Sequence, residues 1–215
     1  MIGYISAQIL KFFGWQLDLQ LPTEKKYIII GAPHTSNWDF PLALLALSAM
    51  GLRFSWVGKH TLFSFPFGSF FRALGGIPVD RHIRQSFIVK MIGLFSSSDE
   101  LILAIAPEGT RAKTAYWKTG FYSIAVEATV PIALGYLDYK NKKIGVGATL
   151  YPSQGILADF QVIQQFYAGK TGKFPDKQGP VQLRQKDIQR YREKRDCLLP
   201  PDDQFPEYRK NEMEP

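Results

Sequence analysis

The chain has 215 residues, of which 46% are hydrophobic, and it carries a formal net charge of +7 at pH 7; this is enough for one domain with a full core. The single cysteine, Cys197, excludes an internal disulfide, and a reducing cytoplasmic compartment is the default expectation. The positive charge indicates an anionic partner such as a phosphorylated substrate or lipid headgroups, and we expect no nucleic acid because no nucleic-acid-binding motif accompanies it.

Residues 1–13 are predicted to form an amphipathic helix. Five apolar side chains fall on one face of this helix: Ile2, Ile5, Ile9, Phe12 and Phe13. Such a face suits a membrane interface, and it equally suits a helix packed on the protein's own core. No secretory signal is evident, and the longest apolar run, Phe40–Leu52, is too short to cross a bilayer.

Two strands are predicted next. Trp15–Leu21 alternates apolar and polar residues, which indicates a half-exposed strand. Tyr27–Ile30 is an unbroken run of aromatic and β-branched residues, which is typical of a buried strand. Because Pro22–Lys26 reads as a turn between them, we expect the two strands to pair antiparallel.

A polar loop follows the buried strand and carries His34 and Asp39. Ser36 and Asp39 have the spacing of a capping box, and the apolar run Phe40–Met50, ended by Gly51, predicts a helix. His34 would then lie just before the helix and meet the Asp39 carboxylate, which leaves the other ring nitrogen to take a proton from a hydroxyl. The alternative is that Asp39 only caps the helix and His34 is an ordinary loop histidine.

The next segment is rich in aromatic residues and ends in an arginine. Thr61–Leu74 holds five phenylalanines within nine residues, which predicts a wall for an acyl chain or a lipid-facing surface, or else core packing. The short strand Gly75–Val79 leads into Asp80 and Arg81. The Arg81 guanidinium can bind a phosphate through two parallel hydrogen bonds, with a surface ion pair as the alternative.

A further buried strand, Leu101–Ala106, ends in a second polar loop. Here Glu108 can orient a hydroxyl or a cation, Gly109 allows close approach of backbone to a ligand, and two donors for a phosphate follow, from Thr110 and Arg111. Ligands in α/β sheets gather at the carboxyl ends of strands, which favours a binding loop over a plain connection.

The remaining elements alternate. Helices are predicted at 83–95, 120–129 and 156–168, and strands at 130–136 and 144–151. The pattern indicates an α/β fold: a single domain at 14–168 with a largely parallel central sheet flanked by helices and with antiparallel edge strands. Residues 169–215 are predicted to form a charged C-terminal extension that is partly mobile.

Four blocks in this order resemble the glycerolipid acyltransferase family of the 1-acylglycerol-3-phosphate acyltransferase type. They are PHTSNWD at 33–39, GGIPVDR at 75–81, APEGTR at 106–111 and VPIAL at 130–134. Pro33 stands where the family usually has Asn, and Ala106 where it usually has Phe. Neither change removes a group that does chemistry, although both could reshape the acceptor pocket.

The resemblance implies transfer of a fatty acyl group from a coenzyme A or acyl carrier protein thioester to a lysophospholipid hydroxyl. It implies that His34 is the general base, oriented by Asp39, with Glu108 as a third catalytic residue. The acceptor phosphate would be bound by Arg81, Arg111, Thr110, Gly109 and Lys118. No metal and no cofactor are expected besides the thioester co-substrate, and the protein is expected to be peripheral, on the cytoplasmic face of a membrane.

Two alternatives stay open at this point. A thioester or ester hydrolase would use the same dyad on water, and a basic membrane-surface module would use no dyad at all. The phosphorylated acceptor makes a spatial prediction, because Arg81 and Arg111 both follow predicted strands. Their side-chain tips should lie within about 10 to 15 Å of His34, on one edge of the sheet.

Overall fold

The computed structural model describes residues 2–79, 84–153 and 155–198, and all of the helices and strands lie within these ranges. The strands are β1 (Gln16–Leu19), β2 (Lys26–Ala32), β3 (Ser55–Lys59), β4 (Gly76–Val79), β5 (Leu101–Ile105), β6 (Ile132–Asp138) and β7 (Lys143–Leu150). The helices are α1 (Ile2–Phe12), α2 (Asp39–Ala49), α3 (Gly68–Ala73), α4 (Arg84–Ser97), α5 (Gly120–Ala128), α6 (Ile156–Tyr167) and α7 (Gln185–Leu198).

The seven strands form one sheet in the order β1-β7-β6-β2-β5-β3-β4. From β6 to β4 all neighbouring pairs are parallel, whereas β7 runs antiparallel to β6. Strand β2 lies near the middle, between β6 and β5, and both its faces are covered, which explains its continuous apolar sequence. The loops after β2, β5 and β6 therefore open at the same edge of the sheet.

Helices cover both faces of the sheet. On one face Leu10 of α1 and Leu47 of α2 pack against apolar side chains of β2, β6 and β7. On the other face α4, α5 and α6 bury a larger core, in which Met91, Phe121 and Phe160 are almost fully inaccessible. The predicted α/β domain with a largely parallel sheet is confirmed.

One predicted pairing is wrong. Strand β1 does not pair antiparallel with β2; it pairs parallel with β7, and Gln16 lies opposite Lys143. The alternating sequence of β1 reports an edge position with one face exposed, but it carries no information on which strand is the neighbour.

The apolar face predicted for α1 points away from the domain. Ile2 and Phe12 are 76% and 84% exposed, and Ile5 and Phe13 are also exposed. The opposite side of the helix packs on α2, where a Cβ at Gly3 would lie 2.8 Å from the carbonyl oxygen of Ser48. Within residues 2–79, 84–153 and 155–198, no helix is both long and apolar enough to cross a membrane.

Candidate active site

The loop between β2 and α2 holds His34 against Asp39, the first residue of α2. The imidazole Nδ1 lies 3.1 Å from Asp39 Oδ2, and the same oxygen accepts hydrogen bonds from the backbone N–H groups of Thr35 (2.7 Å) and Ser36 (2.8 Å). The other oxygen, Oδ1, accepts a hydrogen bond from the Tyr139 hydroxyl at 2.7 Å. The loop is thus wrapped around one buried carboxylate.

The capping box predicted from Ser36 and Asp39 is half present. Asp39 reaches back to the Ser36 N–H, as such a box requires, but the Ser36 hydroxyl accepts from Trp38 N–H instead of from Asp39.

Asp39 is held as a carboxylate. Burial by itself raises the pKa of this group, but the hydrogen bonds from His34, Tyr139 and Ser36 outweigh it, so the pKa of Asp39 lies below its ordinary value. A carboxylate has no proton to donate, so the proton between the two groups resides on Nδ1 of His34. The lone pair of Nε2 is then available to accept a proton.

Glu108, in the loop after β5, lies on the other side of the His34 loop. Its Oε2 accepts a hydrogen bond from the backbone N–H of His34 at 2.7 Å, and the side chain is buried. Burial raises the pKa of Glu108 to about 7; the hydrogen bond from His34 lowers it, but not enough to offset the burial. Glu108 therefore exchanges a proton near neutral pH while it anchors the backbone of His34.

Cations lie beside the same loops. Arg111 Nη1 donates a hydrogen bond to Asn37 Oδ1, in the His34 loop, so Arg111 lies on the same edge of the sheet as His34. Lys118 approaches Gly109, where a Cβ would lie 2.6 Å from its Nζ. Gly109 has a φ of +68°, which favours glycine. The Thr110 hydroxyl accepts from Ala112 N–H.

Arg81, which the sequence analysis assigned to the acceptor phosphate, lies outside the described residues. The spatial prediction that links Arg81 and Arg111 stays a prediction for Arg81.

A cavity of about 1040 Å³ opens beside the dyad, which is large enough for a substrate with a long chain. It is lined by polar groups at one end, among them His34, Glu108 and Arg111. Away from them the lining is apolar, and it includes Leu47, Met50, Trp56, Phe71 and Phe87. The cavity therefore joins a proton acceptor, cations and a greasy wall in one space.

The phenylalanine-rich segment divides between the two roles that its sequence left open. Phe63 is buried and stacks on Trp56, with ring centroids 5.7 Å apart, and Phe71 lines the cavity. Phe65 is 97% exposed, and Phe67 and Phe70 are exposed as well.

Sequence reasoning missed three parts of the site. Tyr139 is 100 positions from Asp39, but it directly follows β6, the neighbour of β2, and that placement is the signal that could have found it. Residues 171–174, within the segment assigned to a C-terminal extension, lie against the His34 loop: Phe174 N–H donates to the Thr35 hydroxyl at 3.2 Å. Arg184 of the same segment lines the cavity, and its Nε donates to the buried Asp187.

Comparisons with known proteins agree with this geometry. The sequence model described as "Acyltransferase" matches residues 17–133. In fold, the chain is similar to the crystal structure of the 1-acyl-sn-glycerophosphate (LPA) acyltransferase PlsC from Thermotoga maritima. The TM-score is 0.55 with 18% sequence identity, covering 78% of this chain and 76% of that chain. No curated protein sequence gives a significant match.

Proposed function

The chain belongs to the acyltransferase family and is an acyltransferase, and on that premise we propose that it esterifies a free hydroxyl of a lysophospholipid such as 1-acylglycerol-3-phosphate. The donor is a fatty acyl thioester of coenzyme A or acyl carrier protein. The observation that carries the proposal is the His34–Asp39 pair beside a cavity with a cationic edge and an apolar interior. The similarity in fold to the Thermotoga maritima LPA acyltransferase also supports it.

In the proposed reaction His34 is the general base. Its Nε2 takes the proton of the acceptor hydroxyl as the oxygen attacks the thioester carbonyl carbon. The tetrahedral intermediate then collapses with cleavage of the C–S bond, and the leaving thiolate takes a proton from the imidazolium. An ester and a free thiol result, and no acyl-enzyme is needed because the thioester is already activated.

Asp39 orients the imidazole and stabilises its charged form. Glu108 holds the backbone of His34 and so keeps the ring in place. The backbone N–H of Gly109 donates to the carbonyl of Ala106, so this amide is already engaged and is a poor candidate for stabilising the thioester oxyanion.

The acceptor phosphate is proposed to bind at the cationic edge, between Arg111 and Lys118. Thr110 and Gly109 contribute a hydroxyl and close backbone approach there, and Arg81 is the further arginine that the family resemblance implies. Arg184 lines the same cavity and is added to this set. Guanidinium groups match phosphate oxygens in geometry as well as charge, which favours a phosphorylated acceptor over a neutral alcohol.

The apolar part of the cavity is proposed to hold the acyl chain. Burying a chain of many methylenes contributes about 0.8 kcal/mol per group, so a long chain binds there far more strongly than a short one. The lining by Trp56, Leu47 and Phe71 supplies that surface.

We further propose that the protein is peripheral at the cytoplasmic face of a membrane, attached through the exposed face of α1. The exposed residues of this face, Ile2, Tyr4, Ile5, Phe12 and Phe13, are what an interfacial helix inserts into the lipid headgroup region. Deletion of residues 1–13 should reduce binding to anionic vesicles more than thermal stability, although Leu10 would leave the core.

A point variant separates these effects more cleanly. Phe12→Glu should weaken vesicle binding by roughly 10-fold or more, since it replaces an apolar contact with lipid by a charge. Gln8→Glu adds the same charge at an exposed polar position of the same helix and should weaken binding only slightly. Vesicle sedimentation measures both, and equal losses in the two variants would assign the attachment to charge alone.

The activity test uses the purified protein with acyl-coenzyme A, with and without lysophosphatidate, and follows thiol release. Release that depends on the acceptor, together with formation of phosphatidate, is the expected result. Release without acceptor would identify a hydrolase. Absence of release with coenzyme A and with acyl carrier protein thioesters, at several chain lengths, would overturn the proposal.

A further inference from the structure

The Asp39 carboxylate is held on both of its oxygens, and the second oxygen depends on one side chain from a distant part of the chain. His34 and two backbone N–H groups occupy Oδ2, while the Tyr139 hydroxyl donates to Oδ1 at 2.7 Å. We propose that Tyr139 is a positioning residue of the proton-transfer dyad, which fixes the plane and the charge of Asp39 and thereby the imidazole of His34. This inference rests on the proposed function.

Tyr139 is well fixed for such a role. It directly follows β6, so its backbone is anchored next to β2, and its N–H donates to the carbonyl oxygen of Thr171 at 2.9 Å. Its ring packs edge-to-face on Trp15, with centroids 5.1 Å apart and an interplanar angle of 84°. Three separate parts of the chain therefore determine where the hydroxyl lies.

The bond to Oδ1 constrains a motion that the other bonds leave open. The contacts to Oδ2 converge on one oxygen, so a carboxylate held by them alone can rotate about the axis through that oxygen. A fourth donor on Oδ1 removes this rotation, and the Oδ2 lone pair stays directed at Nδ1 of His34. Orientation of this kind acts on the rate of proton transfer more than on substrate binding.

The phenol remains a donor at all relevant pH values. Burial and the neighbouring Asp39 carboxylate raise the pKa of Tyr139 above its ordinary value. The hydroxyl in turn is one of the groups that lower the pKa of Asp39. Without it, the charge on Asp39 is less compensated and holds a proton on the imidazole more strongly, so the acidic limb of the rate–pH profile moves to higher pH.

Other charged groups near the dyad must be kept constant in such an experiment. Among the described residues they are Glu108, Arg111 and Lys118, which follow β5, and Lys173, which stacks over Trp38. Tyr139→Phe changes none of these and removes a single oxygen atom.

The test compares Tyr139→Phe with Tyr122→Phe. Tyr122 also donates to a buried carboxylate, that of Asp159 at 2.6 Å, but it lies in the core under α6 and away from the dyad. For Tyr139→Phe we expect kcat to fall roughly 5- to 50-fold, as the loss of a hydrogen bond to a charged group gives. KM for both substrates should change by less than about twofold, and the acidic limb should move upward. Tyr122→Phe should lose comparable thermal stability and keep kcat and the pH profile.

A second readout does not depend on turnover. The low-field proton resonance of His34 Nδ1–H reports its hydrogen bond to Asp39, and it should move in Tyr139→Phe and stay in Tyr122→Phe. If Tyr139→Phe fails to fold, 3-fluorotyrosine at position 139 keeps the side chain, strengthens the donor and should move the acidic limb to lower pH.

A folded Tyr139→Phe protein with wild-type kcat, pH profile and His34 resonance would overturn the inference while acyl transfer by the wild type stands. Failure of the wild type to transfer acyl groups would overturn the proposed function, and the resonance would still decide whether Tyr139 positions the dyad.

Discussion

The loop after β2 and the loop after β5 each bring a buried carboxyl group to His34, but the two groups differ in charge. Asp39 receives hydrogen bonds from His34, Thr35, Ser36 and Tyr139, and its pKa is lowered. Glu108 receives one from His34 N–H, and burial raises its pKa to about 7. Both side chains are almost inaccessible, so the hydrogen-bond donors around Asp39, not the degree of burial, account for the difference.

This difference suggests a division of labour. The loop after β2 keeps a permanent negative charge on one ring nitrogen of His34, which is what a base that turns over repeatedly requires. The loop after β5 carries an adjustable carboxyl group and the arginine that meets the acceptor. Variants in the first loop should therefore lower kcat, and variants in the second should change KM or the dependence on pH.

The largest effect is expected for His34→Ala. Removal of the general base should lower kcat roughly 100-fold or more, because general-base catalysis contributes about 10² to 10⁴, while the affinity for the thioester persists. Single-turnover thiol release and a separate measurement of thioester binding give the two quantities.

Asp39→Asn provides the matched comparison within the same loop. It should cost less than His34→Ala, because the imidazole is then misoriented but still present. Near-normal turnover in folded His34→Ala would refute the base mechanism and with it the division between the two loops.

Arg111→Ala should have the next largest effect, now in the second loop. Loss of a guanidinium at the phosphate should raise KM for lysophosphatidate by several-fold to about 100-fold and leave the affinity for the thioester nearly unchanged. Lys113→Ala, an exposed lysine in the same loop, is the control and should change KM by less than about twofold. A rise in KM of equal size in both variants would reduce the role of Arg111 to general electrostatic attraction.

The smallest effect concerns stability and Glu108. Its folded-state pKa of about 7 lies above the ordinary value of 4.5, so the folded protein binds more protons than the unfolded chain between those pH values. The free energy of unfolding should therefore fall as the pH rises from about 4.5 to about 7, by at most on the order of 3 kcal/mol from this group.

Glu108→Gln removes this titration and should flatten the decline, and urea unfolding at pH 5 and pH 8 measures it. Glu193→Gln, at an exposed position of α7, should retain the wild-type slope. An unchanged slope in Glu108→Gln would mean that the carboxyl group is already ionised at pH 5.

The sequence predicted those features that depend on local pattern. The apolar run Tyr27–Ile30 marked a central strand, and the parallel arrangement of strands placed the His34 and Glu108 loops at one edge of the sheet. The neighbour of β1 was predicted wrongly, because an alternating pattern specifies a face and not a partner. Tyr139 and residues 171–174 were not predicted, since they reach the dyad only through the tertiary fold.

The pairing of β1 with β7 also bears on how the chain is assembled during synthesis. Gln16 finds its partner only when Lys143 has emerged, 127 residues later, which at ordinary elongation rates is roughly 6 to 25 s. Throughout that interval the apolar residues of α1 are outside the ribosome and its strand is without a sheet to join. The nascent chain must therefore be kept from aggregating by a chaperone or by early contact with a lipid surface, and the last strand to pair closes the domain around its own beginning.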